Sequence, residues 1–397
     1  MKAQFYSFLS IVIIIPILIF ISLYVVTQSG KSGIYENIVA DQIHQVTKNL
    51  ENDFERAMVT SGKRALIAGS DYVVINGRPL SNAVLNIKEL MENGTIEGNE
   101  SIIMINNTLD YWFNKIMTIP FNFNISINFS DLNISENGSF GIKISAKLNL
   151  SVKDSLGIAS ISKKDEIYNV IIKPEGMEDP IFALNTNGLV KRSIKISPFP
   201  YRAKKLVAGG TNSSGSCLGN ITFDKNECYN KILVAENTSG VNFACFSGFV
   251  LEESINLSSY SDCYITGNNS ALENIKQALN ETNYEIIYID GPTHSVWHLP
   301  IREEIENKYY FEGSGPTFLK RLENNLNQTT NGMESFVNLP ELQSYQIPIK
   351  ENVISVDYIY FGSQNYIGHP IRGLQTWFRL NKTFTDKYGL TELCNGC

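Results

Sequence analysis

FNFNISINFSDLNISENGSFGIKISAKLNLSVKD, residues 121–154, alternates apolar and polar side chains on either side of one turn. Phe121, Phe123, Ile125, Ile127 and Phe129 are spaced by Asn and Ser. After Glu136-Asn137-Gly138 the period returns at Phe140, Ile142, Ile144, Leu148, Leu150 and Val152. Successive side chains of a strand point to opposite faces, so this pattern predicts antiparallel strands with one buried face. A further strand is expected at 167–172. The polar face carries four consecutive N-x-[ST] sequons, at Asn124, Asn128, Asn133 and Asn137, and is the face a glycan can occupy.

The buried face needs a partner, and the residues before it supply helices. Apolar or small side chains recur at Tyr35, Val39, Ile43, Val46, Leu50, Phe54 and Ala57, in steps of 4, 4, 3, 4, 4 and 3. That spacing makes one apolar face of an α-helix. Its other face, with Glu36, Asp41, Lys48, Glu51, Asp53 and Arg56, reads as solvated. Shorter helices are expected at 81–91, with Ser81 as N-cap, and at 107–119. The resulting fold class is α+β: a long N-terminal transmembrane and amphipathic helix, then an antiparallel β-rich ectodomain in two lobes.

Residues 5–26, FYSFLSIVIIIPILIFISLYVV, contain no charge. As a helix they span roughly 33 Å, against a hydrocarbon core of about 30 Å. No small-residue cleavage pattern follows, so the segment reads as a retained anchor with Pro16 as a kink point. Lys2 alone precedes it and says little about orientation. The rest of the chain says more. Sixteen sequons all follow the anchor: Asn93, Asn99, Asn106, Asn124, Asn128, Asn133, Asn137, Asn149, Asn212, Asn220, Asn237, Asn256, Asn268, Asn280, Asn327 and Asn381. With 42 Asn and 56 Ser plus Thr in 397 residues, random placement gives about six. An Asn- and Ser-rich strand pattern also makes sequons by accident, most easily between Asn124 and Asn149.

Six cysteines, Cys217, Cys228, Cys245, Cys263, Cys394 and Cys397, all lie in the second half. An even, regional set suggests disulfides in an oxidising compartment. Short loops close most readily, which favours 217 with 228, 245 with 263 and 394 with 397. A redox or zinc role for Cys394-Asn-Gly-Cys397 lacks a second C-x-x-C and a strand-to-helix context. Together these signals predict a cytoplasmic N-terminus and an extracellular, glycosylated ectodomain.

The organisation expected is a leader and anchor at 1–32, a helix-plus-sheet lobe at 33–208, a Gly/Ser-rich linker at 209–216, and a disulfide-containing β-rich lobe at 217–397. Strands are expected in the second lobe at 243–251, 284–289 and 353–361, with a helix at 272–279.

Chemistry is sparse. His294 and His298 have an H-x-x-x-H spacing, with Glu303 or Glu304 as a third ligand for zinc, but Pro292 and Pro300 disfavour the helix that spacing needs. A strand or turn is expected there. Neither a G-x-S-x-G elbow nor a phosphate loop is present. Glu252-Glu253 and Glu303-Glu304 read as surface pairs, since adjacent strand carboxylates face opposite ways. A net charge of −7 with 33 scattered Lys and Arg argues against nucleic acid as a partner. No cofactor and no catalytic set are indicated.

Lys2-Ala3-Gln4 ahead of a long apolar helix resembles the class III signal of archaeal type IV pilin-like proteins. The resemblance implies cleavage between Ala3 and Gln4 and a long helix retained as the assembly element. Residues 90–95 (LMENGT), 108–112 (TLDYW), 178–188 (EDPIFALNTNG), 312–323 (EGSGPTFLKRLE) and 356–361 (VDYIYF) look like segments of uncharacterised archaeal envelope proteins. That likeness implies an archaeal surface protein and carries no known activity. The leading expectation is a non-enzymatic, pilin-like subunit or adhesin, with membrane lipid, other envelope proteins and copies of itself, joined through the N-terminal helix, as partners. The alternatives are a membrane-tethered binding module for sugar or for an envelope protein, and an anchored metal-dependent hydrolase built on His294 and His298.

Overall fold

The computed structural model describes the backbone at residues 2–118, 123–207, 221–222, 231–235, 246–247, 249–251, 263–266, 285–289, 294–297, 299–364, 366–394 and 396–397. Side chains are described at 19–22, 36–118, 123–203, 300–364, 366–391, 393–394 and 396–397. The chain is α+β and divides into two compact units. The first holds residues 1–69, 82–137 and 141–173; the second holds 70–81, 138–140 and 174–397. The Gly/Ser-rich stretch 209–216 and the expected helix at 272–279 lie outside the described residues.

Helix α1, Lys2–Asn76, runs unbroken through the uncharged segment and the amphipathic one. Among the described residues no helix is long and apolar enough to cross a membrane; of residues 5–26, only the side chains of 19–22 are described. Val39, Ile43, Leu50 and Phe54 are buried, with Met58 continuing the same face. What covers that face is the first unit itself. Phe54 sits at its centre, 5.5 Å from the ring of Trp112, 6.3 Å from Phe129 and 5.6 Å edge-on to Tyr168. The Trp112 indole N–H donates to Asp53 Oδ2 at 2.7 Å, so its polar edge is satisfied. Gly62 lets helix and sheet approach closely: a Cβ there would lie 2.4 Å from Ile144 Cδ1 and 2.6 Å from Ile172 Cδ1.

Helices α2, Ala83–Asn93, and α3, Leu109–Thr118, complete the helical layer. The N-cap of α2 is Asn82, one residue beyond the expected Ser81; its side-chain Oδ1 accepts from Leu85 N–H at 3.0 Å, the third helical donor, which a cap satisfies. The sheet is a meander of β1, Phe123–Asn137, β2, Gly141–Asp154, and β3, Ser160–Ile172. Along β2 the even-numbered positions from Ile142 to Asp154 are buried without exception, as the period of two requires. In β1 the register shifts between Ser130 and Asn133, and Asp131 takes a left-handed φ of 53°. One extra residue reverses the parity: Ile127 is buried before the bulge, Leu132 and Ile134 after it.

The second unit takes in the end of α1 and, further along the chain, α4, Pro180–Asn185. Strand β4, Lys204–Val207, pairs antiparallel with His294–Trp297. Between them in sequence, β5, Lys231–Ala235, β6, Phe249–Leu251, β7, Cys263–Thr266, and β8, Glu285–Ile289, form a sheet in the order β6-β7-β5-β8. Its strands are all parallel, which corrects the expectation of antiparallel pairing here. The intervening stretches are long enough for crossovers. The runs KILVA and EIIYI lack alternation, the composition of strands covered on both faces.

His294–Trp297 is β9, so His294 stands on a strand as the flanking prolines suggested; His298 lies outside the described residues. Beyond it come α5, Leu299–Asn307, β10, Phe311–Gly313, α6, Phe318–Leu322, β11, Gly332–Glu334, α7, Asp357–Phe361, and α8, Lys382–Tyr388. Phe311, Phe336, Phe378, Phe384 and Tyr388 share one core, with Phe336 5.0 Å from both Phe311 and Phe378.

Two further expectations are corrected. Residues 353–361 are no strand: Val353 and Val356 each make one isolated bridge and α7 follows. Residues 353–360 are buried throughout, so their apolar pattern carries no period to distinguish the two. Glu304, expected at the surface, has no solvent exposure. It sits on α5 beside Arg202, so the strand argument did not apply to it.

Candidate functional site

Three of the segments singled out in the sequence converge in the second unit. Asp179 starts α4, with Oδ1 accepting from Ile181 N–H at 3.0 Å. Its Oδ2 accepts from Arg321 Nη1 at 2.7 Å and from the Tyr310 hydroxyl at 2.8 Å. The same Nη1 lies 2.9 Å from Asp357 Oδ2, which also receives the Ser335 hydroxyl at 2.8 Å. Arg321 Nε donates to Pro316 O at 3.2 Å, and Nη2 donates to Met333 O. Asp179, Arg321 and Asp357 are all fully buried. Burial raises the Asp179 carboxyl above the usual carboxylate range, with Arg321 pulling it back. Burial also opposes the charge on Arg321, but the two carboxylates outweigh it and its pKa is raised. Such a closed cluster pins α4, α6 and α7 together and offers nothing to a ligand.

A second cluster lies on the Gly-Ser-Gly turn after β10. Glu334 is fully buried, and its Oε1 accepts from Ser314 N–H at 2.8 Å, Ser314 Oγ at 3.1 Å and Lys387 Nζ at 2.7 Å. The Tyr388 hydroxyl donates to Oε2 at 2.7 Å. A Cβ at Gly313 would fall 2.1 Å from the Glu334 carboxyl carbon, and one at Gly315 would fall 2.1 Å from Met333 O, so glycine is required at both positions. Lys387 also reaches Ser314 Oγ at 3.0 Å. Lys387 is thereby shared between Ser314 Oγ and the Glu334 carboxylate. Burial raises the Tyr358 and Tyr388 hydroxyls, with Glu334 the next cause for both.

The Tyr358 hydroxyl, 3.3 Å from Ser314 Oγ, leads from this cluster to an open cleft of about 440 Å³. Amides line it: Asn185, Asn324, Asn327, Gln328 and Gln364. Tyr358, Phe361 and Tyr366 supply aromatic surface, and among the described residues no lining side chain carries a formal charge. The sequence reading did not bring these residues into one cleft, although Asn185, Tyr358, Ile359 and Phe361 fall within the highlighted segments and Asn327 opens a sequon.

The residues proposed from sequence are dispersed. Ten sequon asparagines have described side chains. Asn93, Asn99, Asn106, Asn124, Asn128, Asn133, Asn137 and Asn327 are exposed, Asn149 and Asn381 half-buried, and none is buried. Asn149 Oδ1 accepts from Asp165 N–H at 2.8 Å, and Asn381 caps α8 through Phe384 N–H at 3.1 Å. Asn212, Asn220, Asn237, Asn256, Asn268 and Asn280 lie outside the described residues, as do Cys217, Cys228 and Cys245. Cys263 begins β7, and Cys394 and Cys397 form a disulfide. Ala3 and Gln4 belong to α1. Among the described residues no group of three or more His, Cys, Asp and Glu is placed to hold a metal ion.

No protein-family model, curated protein or solved structure matches this chain.

Proposed function

We propose that the chain is a membrane-anchored, exported surface protein with a non-enzymatic role, a pilin-like subunit or adhesin whose outer portion is N-glycosylated. Residues 5–26 lie in the bilayer, the N-terminus faces the cytoplasm, and the chain beyond residue 26 faces outward. The observation that carries this reading is the phase of the β1 sequons. Asn124 and Asn128 precede the bulge at Asp131, and Asn133 and Asn137 follow it. Had the strand been regular, the change from even to odd numbers would have turned the second pair inward; with the bulge all four are exposed. The exposed apolar side chains of Ile19, Phe20 and Ile21 support a lipid environment for α1.

The face from Val39 to Phe54 is covered within the first unit, so homo-oligomer or envelope-protein contacts through α1 fall to the preceding part of the helix. Cleavage between Ala3 and Gln4 would release that part from its leader for assembly. An uncut Met1 favours the second reading, a tethered binding module, for which the amide-lined cleft speaks. Membrane fractionation with N-terminal sequencing tests the proposal: it requires membrane-bound protein whose ectodomain is cut by protease added to intact cells. Protein found in the soluble fraction with an ectodomain protected from external protease would refute it.

A further inference from the structure

We infer that the cleft beside Tyr358 binds a neutral saccharide. The inference gives the tethered-module reading a ligand class and does not depend on residues 5–26 lying in a bilayer.

Among the described residues no charged side chain lines the cleft, so the lining itself supplies no counter-charge to a phosphate, a carboxylate or an amine; the nearest charges, Lys350 on the Gly362 carbonyl and Glu334 behind the Tyr358 hydroxyl, are already partnered. Desolvating such a group there would go uncompensated. Amides suit hydroxyls, because each carries both a donor and an acceptor, as a sugar hydroxyl does. Their present bonds leave capacity over. Asn185 Nδ2 donates to Ile181 O at 2.8 Å and to Asn324 Oδ1 at 3.1 Å. Among the described residues Asn185 Oδ1 and Asn324 Nδ2 have no side-chain partner beyond these, and Gln328 Nε2 makes only a long contact, 3.5 Å, to the Tyr358 hydroxyl. Tyr366, 44% exposed, gives the open side an aromatic face of the kind that packs on the C–H face of a pyranose. Convergent polar groups around aromatic surface are the general make-up of a small-ligand site.

The sugar has two possible sources. Asn327, itself a lining residue, opens the sequon Asn327-Gln328-Thr329, so the chain's own glycan can fold back over the cleft. A free or foreign glycan can enter the same space.

The test titrates glucose, galactose, mannose and N-acetylglucosamine, with glucuronic acid as the charged control, into the full-length chain in detergent. Saturation-transfer NMR reads binding. Protein made without N-glycosylation should bind at least one neutral sugar with a Kd on the order of millimolar, since an open polar site has few contacts to offer. Glucuronic acid should bind more weakly than the neutral sugars. Tyr366→Ala and Gln328→Ala should each weaken binding about 10-fold without moving the melting temperature. Loss of binding in the glycosylated protein assigns the site to the Asn327 glycan, and retention assigns it to an external one. Absence of saturable binding to every neutral sugar, or binding undiminished in both variants, overturns the inference.

Discussion

Arg321 Nη1 stands 2.7 Å from Asp179 Oδ2, with both side chains fully excluded from solvent. A buried ion pair is weak evidence for net stabilisation, because desolvation offsets much of the attraction, but removing one member leaves the other stranded. Arg321→Met strands two carboxylates, Asp179 and Asp357. It should lower the stability of the second unit by about 3–5 kcal/mol, read from the chemical denaturation midpoint. A loss below about 1 kcal/mol would mean that the carboxylates find other partners.

Leu50→Asp distinguishes a helix face used inside the chain from one used between chains. Leu50 is buried in the first unit, beside the face centred on Phe54. The substitution should unfold that unit or cost it about 3 kcal/mol or more, and Phe54→Ala should cost about 3–5 kcal/mol. A folded first unit with only assembly lost would show that the face serves other subunits.

Glu304 makes stability depend on pH. Burial raises its carboxyl from 4.5 to about 8, while Arg202 and Ser197 pull the other way. Among the described residues its Oε2 has no hydrogen-bond partner, in keeping with a disfavoured charge. A folded-state value above the unfolded one means that its stabilisation is complete below about pH 4.5 and is lost as pH rises through 8. The denaturation midpoint of the second unit should therefore fall between pH 5 and pH 8, and Glu304→Gln should flatten that slope. An unchanged slope in the variant would place the titration elsewhere.

The meander was legible because β2 buries one face along its whole length: Ile142, Ile144, Leu148, Leu150 and Val152 alternate as the structure has them. The helix from Tyr35 to Ala57 was legible for the same reason at its own period. The bulge at Asp131 was hidden, since one extra residue leaves composition unchanged and only shifts phase. The stretch 353–361 misled because an element buried on all sides has no period. Neither buried cluster could be read from sequence. Asp179, Arg321, Glu334 and Asp357 are far apart in the chain, and single charges look the same buried or exposed until the fold brings them together. The Gly313-Ser314-Gly315 turn was the one local sign of close approach, though it did not say to what.

Gly62 tests how closely α1 lies on the sheet. The atoms that a Cβ would meet are the ends of Ile144 and Ile172, which can shift. Gly62→Ala should therefore change stability by less than about 2 kcal/mol, crowding being partly offset by helix propensity. Gly62→Leu should cost more than about 3 kcal/mol in the first unit. Equal stability for the two variants, by urea denaturation, would mean that the helix stands off the sheet.

The most direct test of the surface-protein reading is glycopeptide and intact-mass spectrometry of the protein from its native membrane. The account predicts a mass above that of the 44.5 kDa chain less any leader, with glycan on Asn124, Asn128, Asn133 and Asn137 among the modified sites. An intact mass equal to that of the bare chain, with all four asparagines unmodified, would contradict it.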